Sequence, residues 1–144
     1  MYDIAKMTLD DLNSIKDNLI SDFDDFWNYS VFKSELESDS SHYLVVKDNS
    51  KIIGFAGIKV TVPDCDIMNI VVKKDFRNQG IGSLLLKELI NLSKSLNVKN
   101  LFLEVNERNT PAILLYNKFG FKKISTRKNY YKDNNAIVMK LDLE

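Results

Sequence analysis

The run Arg77-Asn78-Gln79-Gly80-Ile81-Gly82-Ser83 carries the clearest chemistry in this sequence. Its two glycines let backbone N–H groups come close to a ligand. A helix starting within the run aims its N-terminal N–H groups, and the positive end of its dipole, at the same point. Arg77 adds a guanidinium that can pair with phosphate through two parallel hydrogen bonds. These residue types at this spacing suit a pyrophosphate. Two other phosphate motifs fit poorly. A P-loop needs Gly-Lys-Ser/Thr, and a dinucleotide fingerprint needs a third glycine where Gly80-Ile81-Gly82-Ser83-Leu84-Leu85 has leucine. An ordinary strand-to-helix turn is the competing account of the same residues.

Such a loop needs a strand before it and a helix after it, and the hydrophobic pattern supplies both. Asp66 to Val72 reads as a strand. From Gly80 to about Leu96 the spacing turns helical, with Ile81, Leu84, Leu85, Leu89, Leu92 and Leu96 on one face. Upstream, Thr8 can cap a helix with Asp10 and Asp11 in its first turn. Its apolar face is Leu9, Leu12, Ile15, Leu19 and Ile20, and Ser30 can cap a second short helix through Leu36. Tyr43-Leu44-Val45-Val46 and the segment from Ile52 to Ile58 read as hairpin strands joined at Asp48-Asn49-Ser50, with Gly54 and Gly57 marking a bulge. Leu101 to Val105 is a further strand. Thr110 then caps a helix with Pro111 at its first position, and Gly120 ends it in a left-handed turn. Phe121 to Lys128 and Ala136 to Leu143 close as strands. The order α-α-β-β-β-α-β-α-β-β predicts an α/β (α+β) fold with one central mixed sheet and helices on its faces.

With 144 residues, the chain is expected to form a single domain over 1–144. Hydrophobic residues at 44% and charged residues at 28% are enough for one core and exclude a disordered tail. The lone Cys65 rules out an internal disulfide and a Cys-rich zinc site. The lone His42, to which no role is assigned, argues against a histidine metal cluster or a Ser-His-Asp triad, so no metal is expected. No apolar run approaches ~18 residues, and the first five residues lack a basic region followed by an apolar block. The expectation is a cytoplasmic, reduced protein without a membrane partner. A formal net charge of zero gives no general reason to bind nucleic acid. The halves differ, however. Residues 1–66 hold 13 Asp/Glu against 6 Lys, and residues 67–144 hold 7 Asp/Glu against 14 Lys/Arg. One half suits a cationic ligand and the other an anionic one, unless both are merely solvated faces.

Arg77-x-x-Gly80-x-Gly82 after a strand resembles the acetyl-CoA pyrophosphate loop of the GNAT acetyltransferases. The likeness continues through Asn69-Ile70-Val71-Val72, Leu103-Glu104-Val105, Asn109-x-x-Ala112-Ile113-x-Leu115-Tyr116-x-x-x-Gly120-Phe121, Arg127-x-x-Tyr130-Tyr131 and Ala136-Ile137-x-Met139. Arg127-x-x-Tyr130-Tyr131 makes the chain similar to the members of the family that acetylate protein N-termini, in particular the N-terminal alanine of small-subunit ribosomal protein eighteen. It departs from them at Asn106, at Arg108 and in Phe26-Trp27-Asn28-Tyr29.

The resemblance implies the GNAT fold, with about six to seven strands and about four helices. It implies acetyl-CoA as cosubstrate, transferring its acetyl group to a protein N-terminal amine by direct attack. It makes Glu104 the general base, directly or through a water, and Tyr116 the general acid. A phenol with an unperturbed pKa of ~10 is protonated at neutral pH and can donate to a thiolate. The acceptor needs only modest help from a base, because a free α-amine has a pKa of ~7.7–8.0 against ~10.4 for lysine. Ile70, Val71 and Val72 are implied to hold the pantetheine arm with unpaired backbone groups. Arg77, Asn78, Gln79, Gly80, Ile81, Gly82 and Ser83 are implied to hold the pyrophosphate, with Asn109 a further cofactor contact. Tyr130 and Tyr131 are candidate walls of a peptide entrance, with Phe26, Trp27 and Tyr29 opposite. Asp22, Asp24 and Asp25 could draw in a basic peptide. Two other functions fit the same family: acetylation of a small amine or a lysine side chain, and a non-catalytic acetyl-CoA-binding module. The presence of both Glu104 and Tyr116 weighs against the module, and Tyr130-Tyr131 favours the N-terminal acceptor.

Overall fold

Seven strands form one sheet in the order β1-β2-β3-β4-β5-β7-β6. They are β1 (Tyr2–Lys6), β2 (Ser41–Asp48), β3 (Lys51–Thr61), β4 (Asp64–Val72), β5 (Asn100–Asn106), β6 (Lys122–Tyr131) and β7 (Asn134–Asp142). The computed structural model describes all residues except Met1, Asp24, Phe26, Trp27, Lys132 and Glu144, and of Tyr131 the backbone. The helices are α1 (Leu9–Ile15), α2 (Leu19–Phe23), α3 (Tyr29–Glu37), α4 (Ile81–Ser95) and α5 (Thr110–Lys118). A 3₁₀ turn over Lys16–Asn18 joins α1 to α2, giving one bent helix and thus four helical bodies. The mixed architecture agrees with the expected α/β class. Among the described residues, no helix is long and apolar enough to cross a membrane.

Every neighbouring pair of strands is antiparallel except β4 and β5. Those two run parallel and pair only over Asp64↔Asn100, Cys65↔Leu101 and Asp66↔Phe102. Beyond that point β4 stays with β3 and β5 stays with β7, so a gap opens between them. A bulge falls at the same place. Gly57 pairs with Asn69 but Ile58 pairs with Ile67, which leaves Met68 as the extra residue on β4.

Two cores cover the faces. On one, Ile81, Leu85, Leu86 and Leu89 of α4 pack on Ile58, Leu101 and Met139, with Leu115 and Tyr116 of α5 against them. On the other, Leu12, Leu19, Phe23 and Phe32 of α1–α3 pack on Tyr43, Val45 and Phe55. The β2–β3 turn places Asn49 and Ser50 at φ of 50° and 71°, the pair of positive values a two-residue hairpin needs. Gly120 ends α5 at φ of 98°.

Several boundaries differ from expectation. The sequence pattern misses β1, an edge strand with no buried residue and only Ile4 half-buried. Asn28, not Ser30, caps α3 by accepting from the Val31 N–H at 2.9 Å. Asn109, not Thr110, caps α5 by accepting from the Ala112 N–H at 3.3 Å, so Pro111 is the second helical residue. Leu9, at the start of α1, and Ile20 lie outside the apolar face assigned to them, at 37% and 60% exposure; for Ile20 the 3₁₀ turn breaks the helical phase between α1 and α2.

Thr8 does cap α1, in a full capping box. Its hydroxyl accepts from the Asp11 N–H at 3.1 Å, and its own N–H donates to Asp11 Oδ2 at 2.9 Å. Lys47 Nζ sits 2.9 Å from Asp11 Oδ1. Burial pushes the Asp11 carboxyl up, but the Thr8 backbone, Lys47 and the Thr8 hydroxyl together outweigh it and hold the acid below its ordinary value. Its folded pKa is depressed, so the stabilisation is present above about pH 3.9 and is lost as pH falls through the folded value. Thr8→Ala is expected to cost about 1 kcal/mol at pH 7 in urea melts, with a smaller penalty once the acid is protonated. An equal penalty at both pH values would rule out the linkage.

Candidate active site

The stretch of β4 left without a β5 partner borders a cavity of about 460 Å³. Ile70, Val71 and Val72 line it from β4, Arg77, Asn78, Gly80, Ile81 and Gly82 from the glycine loop, and Asn109 and Tyr116 from α5 and its cap. Nine of the eleven expected cofactor residues therefore surround one space, together with Tyr116. Gln79 and Ser83 are not among its lining residues. Phe23, Phe76, Pro111, Ala112 and Leu115 complete the wall. These apolar residues give no local sign of function in the sequence, because core positions carry the same pattern.

The loop geometry follows from its residues. Asn78 and Gly80 take φ of 63° and 83°, conformations that asparagine and glycine adopt most readily. Gly80 is the N-cap of α4 and supplies no side-chain cap. The opening N–H groups of that 15-residue helix thus have no intrahelical partner. A Cβ at Gly80 would meet nothing within 4 Å, and one at Gly82 only Leu115 Cδ2 at 3.8 Å. A side chain at either position would extend into open space, so the glycines keep a backbone cradle clear. Arg77 Nε donates to the Val72 carbonyl at 3.0 Å and Nη2 to the Phe23 carbonyl at 3.3 Å. The guanidinium thereby braces the loop against β4 and α2 as well as lining the cavity.

Glu104 lies on a second space, a groove of about 510 Å³ on the sheet face that carries α1–α3. Strand alternation explains the separation. Leu101, Leu103 and Val105 point into the α4 core, while Phe102 and Glu104 point to the other face. Lys59, Asp66, Met68, Phe102, Tyr130 and Val138 line the groove with Glu104. Arg127 Nη1 donates to Glu104 Oε1 at 2.6 Å, and its guanidinium carbon lies 4.4 Å from the centre of the Tyr130 ring. One cation thus ties the carboxylate to the aromatic wall, a contact across 23 residues with no local sequence signal. Burial pushes the Asp66 carboxyl up, and the charges of Asp64 and Glu104 add to it.

The other expected residues fall as follows. Tyr130 lines the groove and is half exposed. Tyr131 ends β6 opposite Asn134. Tyr29 lies away from both spaces, where its hydroxyl donates to Asn13 Oδ1 at 2.7 Å. Phe26, Trp27 and Asp24 lie outside the described residues. Asp22 is half-buried on α2, and Asp25 is buried. Cys65 is buried, and that burial pushes its thiol up to about 11, against a Ser93 contact that lowers it. It is therefore a protonated core residue and not a nucleophile at neutral pH.

The description "Acetyltransferase (GNAT) family" fits residues 11–121. A Bacillus subtilis (strain 168) protein, provisionally named a ribosomal protein bS18-alanine N-acetyltransferase, is 35% identical over 139 residues, which is 94% of this chain and 92% of that one. The crystal structure of the ribosomal-protein-S18-alanine N-acetyltransferase from Escherichia coli superposes with a TM-score of 0.92 at 30% identity, over 100% of this chain and 95% of that one. A GNAT family acetyltransferase from Elizabethkingia anophelis, crystallised with acetyl-CoA bound, superposes with a TM-score of 0.82 at 26% identity, over 99% and 98% of the two chains. The family pattern spans both the glycine loop and the strand that carries Glu104, and this chain belongs to the GNAT family of acetyltransferases.

Proposed function

We propose that this chain moves the acetyl group of acetyl-CoA onto the α-amine of a protein N-terminus, as a single domain in the cytoplasm. The proposed acceptor is the N-terminal alanine of ribosomal protein bS18, the acceptor in the names of its Bacillus subtilis and Escherichia coli relatives. The observation that carries this reading is the placement of Glu104 and Tyr116. They line two spaces that share β4 as a wall, Glu104 the groove open to an acceptor and Tyr116 the cavity shaped for a cosubstrate.

The GNAT family uses acetyl-CoA, and the cavity fits it. The cradle kept clear by Gly80 and Gly82 and the uncapped start of α4 suit a pyrophosphate. The β4 edge at Ile70–Val72, left without a β5 partner, offers backbone groups to the amide-bearing pantetheine arm. Bound there, acetyl-CoA supplies an activated thioester. Glu104 takes the proton from the acceptor ammonium, directly or through a water. Tyr116 donates its hydroxyl proton to the departing sulfur. Tyr130, held by Arg127, forms one wall of the acceptor entrance.

The test is release of free thiol from acetyl-CoA with a lysine-free peptide that starts with alanine and is rich in arginine. The same peptide with a blocked terminus is the control. Turnover on the free-terminus peptide alone is the expected result. Turnover confined to small amines, or acetyl-CoA binding without turnover on any amine, would overturn the reading.

A further inference from the structure

Among the described residues, neither polar atom of the Asn69 side chain has a hydrogen-bond partner, although both are shielded from solvent. A buried amide left in this state costs about 1–3 kcal/mol, so a folded protein that keeps one calls for an explanation. The place of Asn69 in the sheet supplies it.

Asn69 pairs with Gly57, immediately after the Met68 bulge and three residues past the last β4–β5 pair at Asp66. Strand register fixes its face. Asp66 pairs with Lys59, and Gly57 lies two residues from Lys59 on β3, so Asp66 and Asn69 share a face despite the bulge. Asp66 pairs with Phe102, two residues from Glu104, so Glu104 shares it as well. On the far side, the Tyr43 ring covers Gly57, where an added Cβ would lie 2.1 Å from the ring. Asn69 therefore lies on the sheet face of the Glu104 groove, next in the chain after Met68 of its lining, just behind the residues that line it. Ile67 and Met68, the two residues before it, line that groove, and the Tyr43 ring covers its strand partner Gly57.

We infer that the Asn69 carboxamide holds the terminal residue of the acceptor, and that it selects an α-amine over a lysine ε-amine. The inference rests on the N-terminal acetyltransferase reading above. An Asn side chain offers one acceptor oxygen and two N–H donors. A terminal amino-acid residue presents the complementary pair, amine N–H donors and, one carbon away, a peptide carbonyl acceptor. Oδ1 accepts from the amine, and Nδ2 donates to the first carbonyl. A lysine side chain carries its amine on four methylenes with no adjacent carbonyl, so it satisfies only half of the carboxamide.

Asn69→Ala and Asn69→Asp test this against wild type. The acceptors are the free-terminus peptide and a terminally blocked peptide with one lysine. Asn69→Ala is expected to raise KM for the free-terminus peptide about tenfold and to shrink the preference for it over the lysine peptide by a similar factor. KM for acetyl-CoA should not change, and Tm should not fall. Asn69→Asp keeps the accepting oxygens and loses the donor, so its KM should lie between the two. An unchanged peptide KM in both variants, or a lowered Tm without a change in acceptor preference, would overturn the assignment while leaving the wild-type activity intact. Absence of wild-type turnover on the free-terminus peptide would instead overturn the function on which it rests.

Discussion

Glu104→Gln is expected to lower kcat on a free-terminus peptide by about two to four orders of magnitude, the usual contribution of a positioned general base. The change is close to isosteric, so the groove lined by Asp66, Met68 and Tyr130 keeps its shape. What is lost is a group able to take a proton. KM for acetyl-CoA should stay within a few-fold, because Glu104 lines the groove and not the glycine-loop cavity. The deficit should also depend on pH. An α-amine with a pKa of ~7.7–8.0 deprotonates without help as pH rises past that range, so the variant should recover relative to wild type between pH 6.5 and pH 9. Steady-state kcat and kcat/KM across that interval measure it. A loss of less than tenfold that stays constant with pH would remove Glu104 from the role of base. It would leave only its ion pair with Arg127, which at the partial exposure of both groups contributes little to stability.

Phe55→Ala is expected to produce the largest loss of stability in the molecule, about 3–5 kcal/mol. Phe55 is fully buried, with its ring centre 5.5 Å from that of Phe23 and 5.3 Å from that of Phe32. Phe32 in turn stacks at 5.4 Å on Tyr43. These rings come from α2, α3, β2 and β3, so they have no common element that could close the vacated space. For a chain of this length the loss corresponds to a fall in Tm of roughly 10–15 °C. The damage should reach the cosubstrate cavity. Phe23 lines that cavity, and its carbonyl receives the Arg77 guanidinium. Affinity for acetyl-CoA should therefore weaken at temperatures where the variant is still folded. Calorimetry and isothermal titration on the same preparation separate the two effects. A Tm drop below 3 °C would show that the aromatic cluster repacks.

What the sequence made legible follows the range of each interaction. The glycine loop, α4 and β5 were readable because their determinants are local: positive-φ residues at a turn, a period near four, a short run rich in apolar residues. The Asn109 and Asn28 caps were displaced from the expected Thr110 and Ser30 because cap-forming residues stand close together, and only the backbone path decides which one caps. β1 was not legible, since an exposed edge strand owes its form to backbone pairing with β2 and needs no hydrophobic alternation. The site was half legible. Residues near the loop gather on one cavity as expected, whereas the Arg127–Glu104 contact and the isolation of the Asn69 amide come from strands that meet only after folding.

The three residue pairs that join β4 to β5 also have a thermodynamic consequence. Two half-sheets meet at this short seam, and the cavity beside it is lined by the unpaired edge of β4 at Ile70, Val71 and Val72. Any molecule that binds there and not to the unfolded chain adds its binding free energy to that of folding, about 2.7 kcal/mol at a hundredfold excess over Kd. Occupancy of this space would thus couple ligand concentration to the stability of the folded chain as well as to its activity.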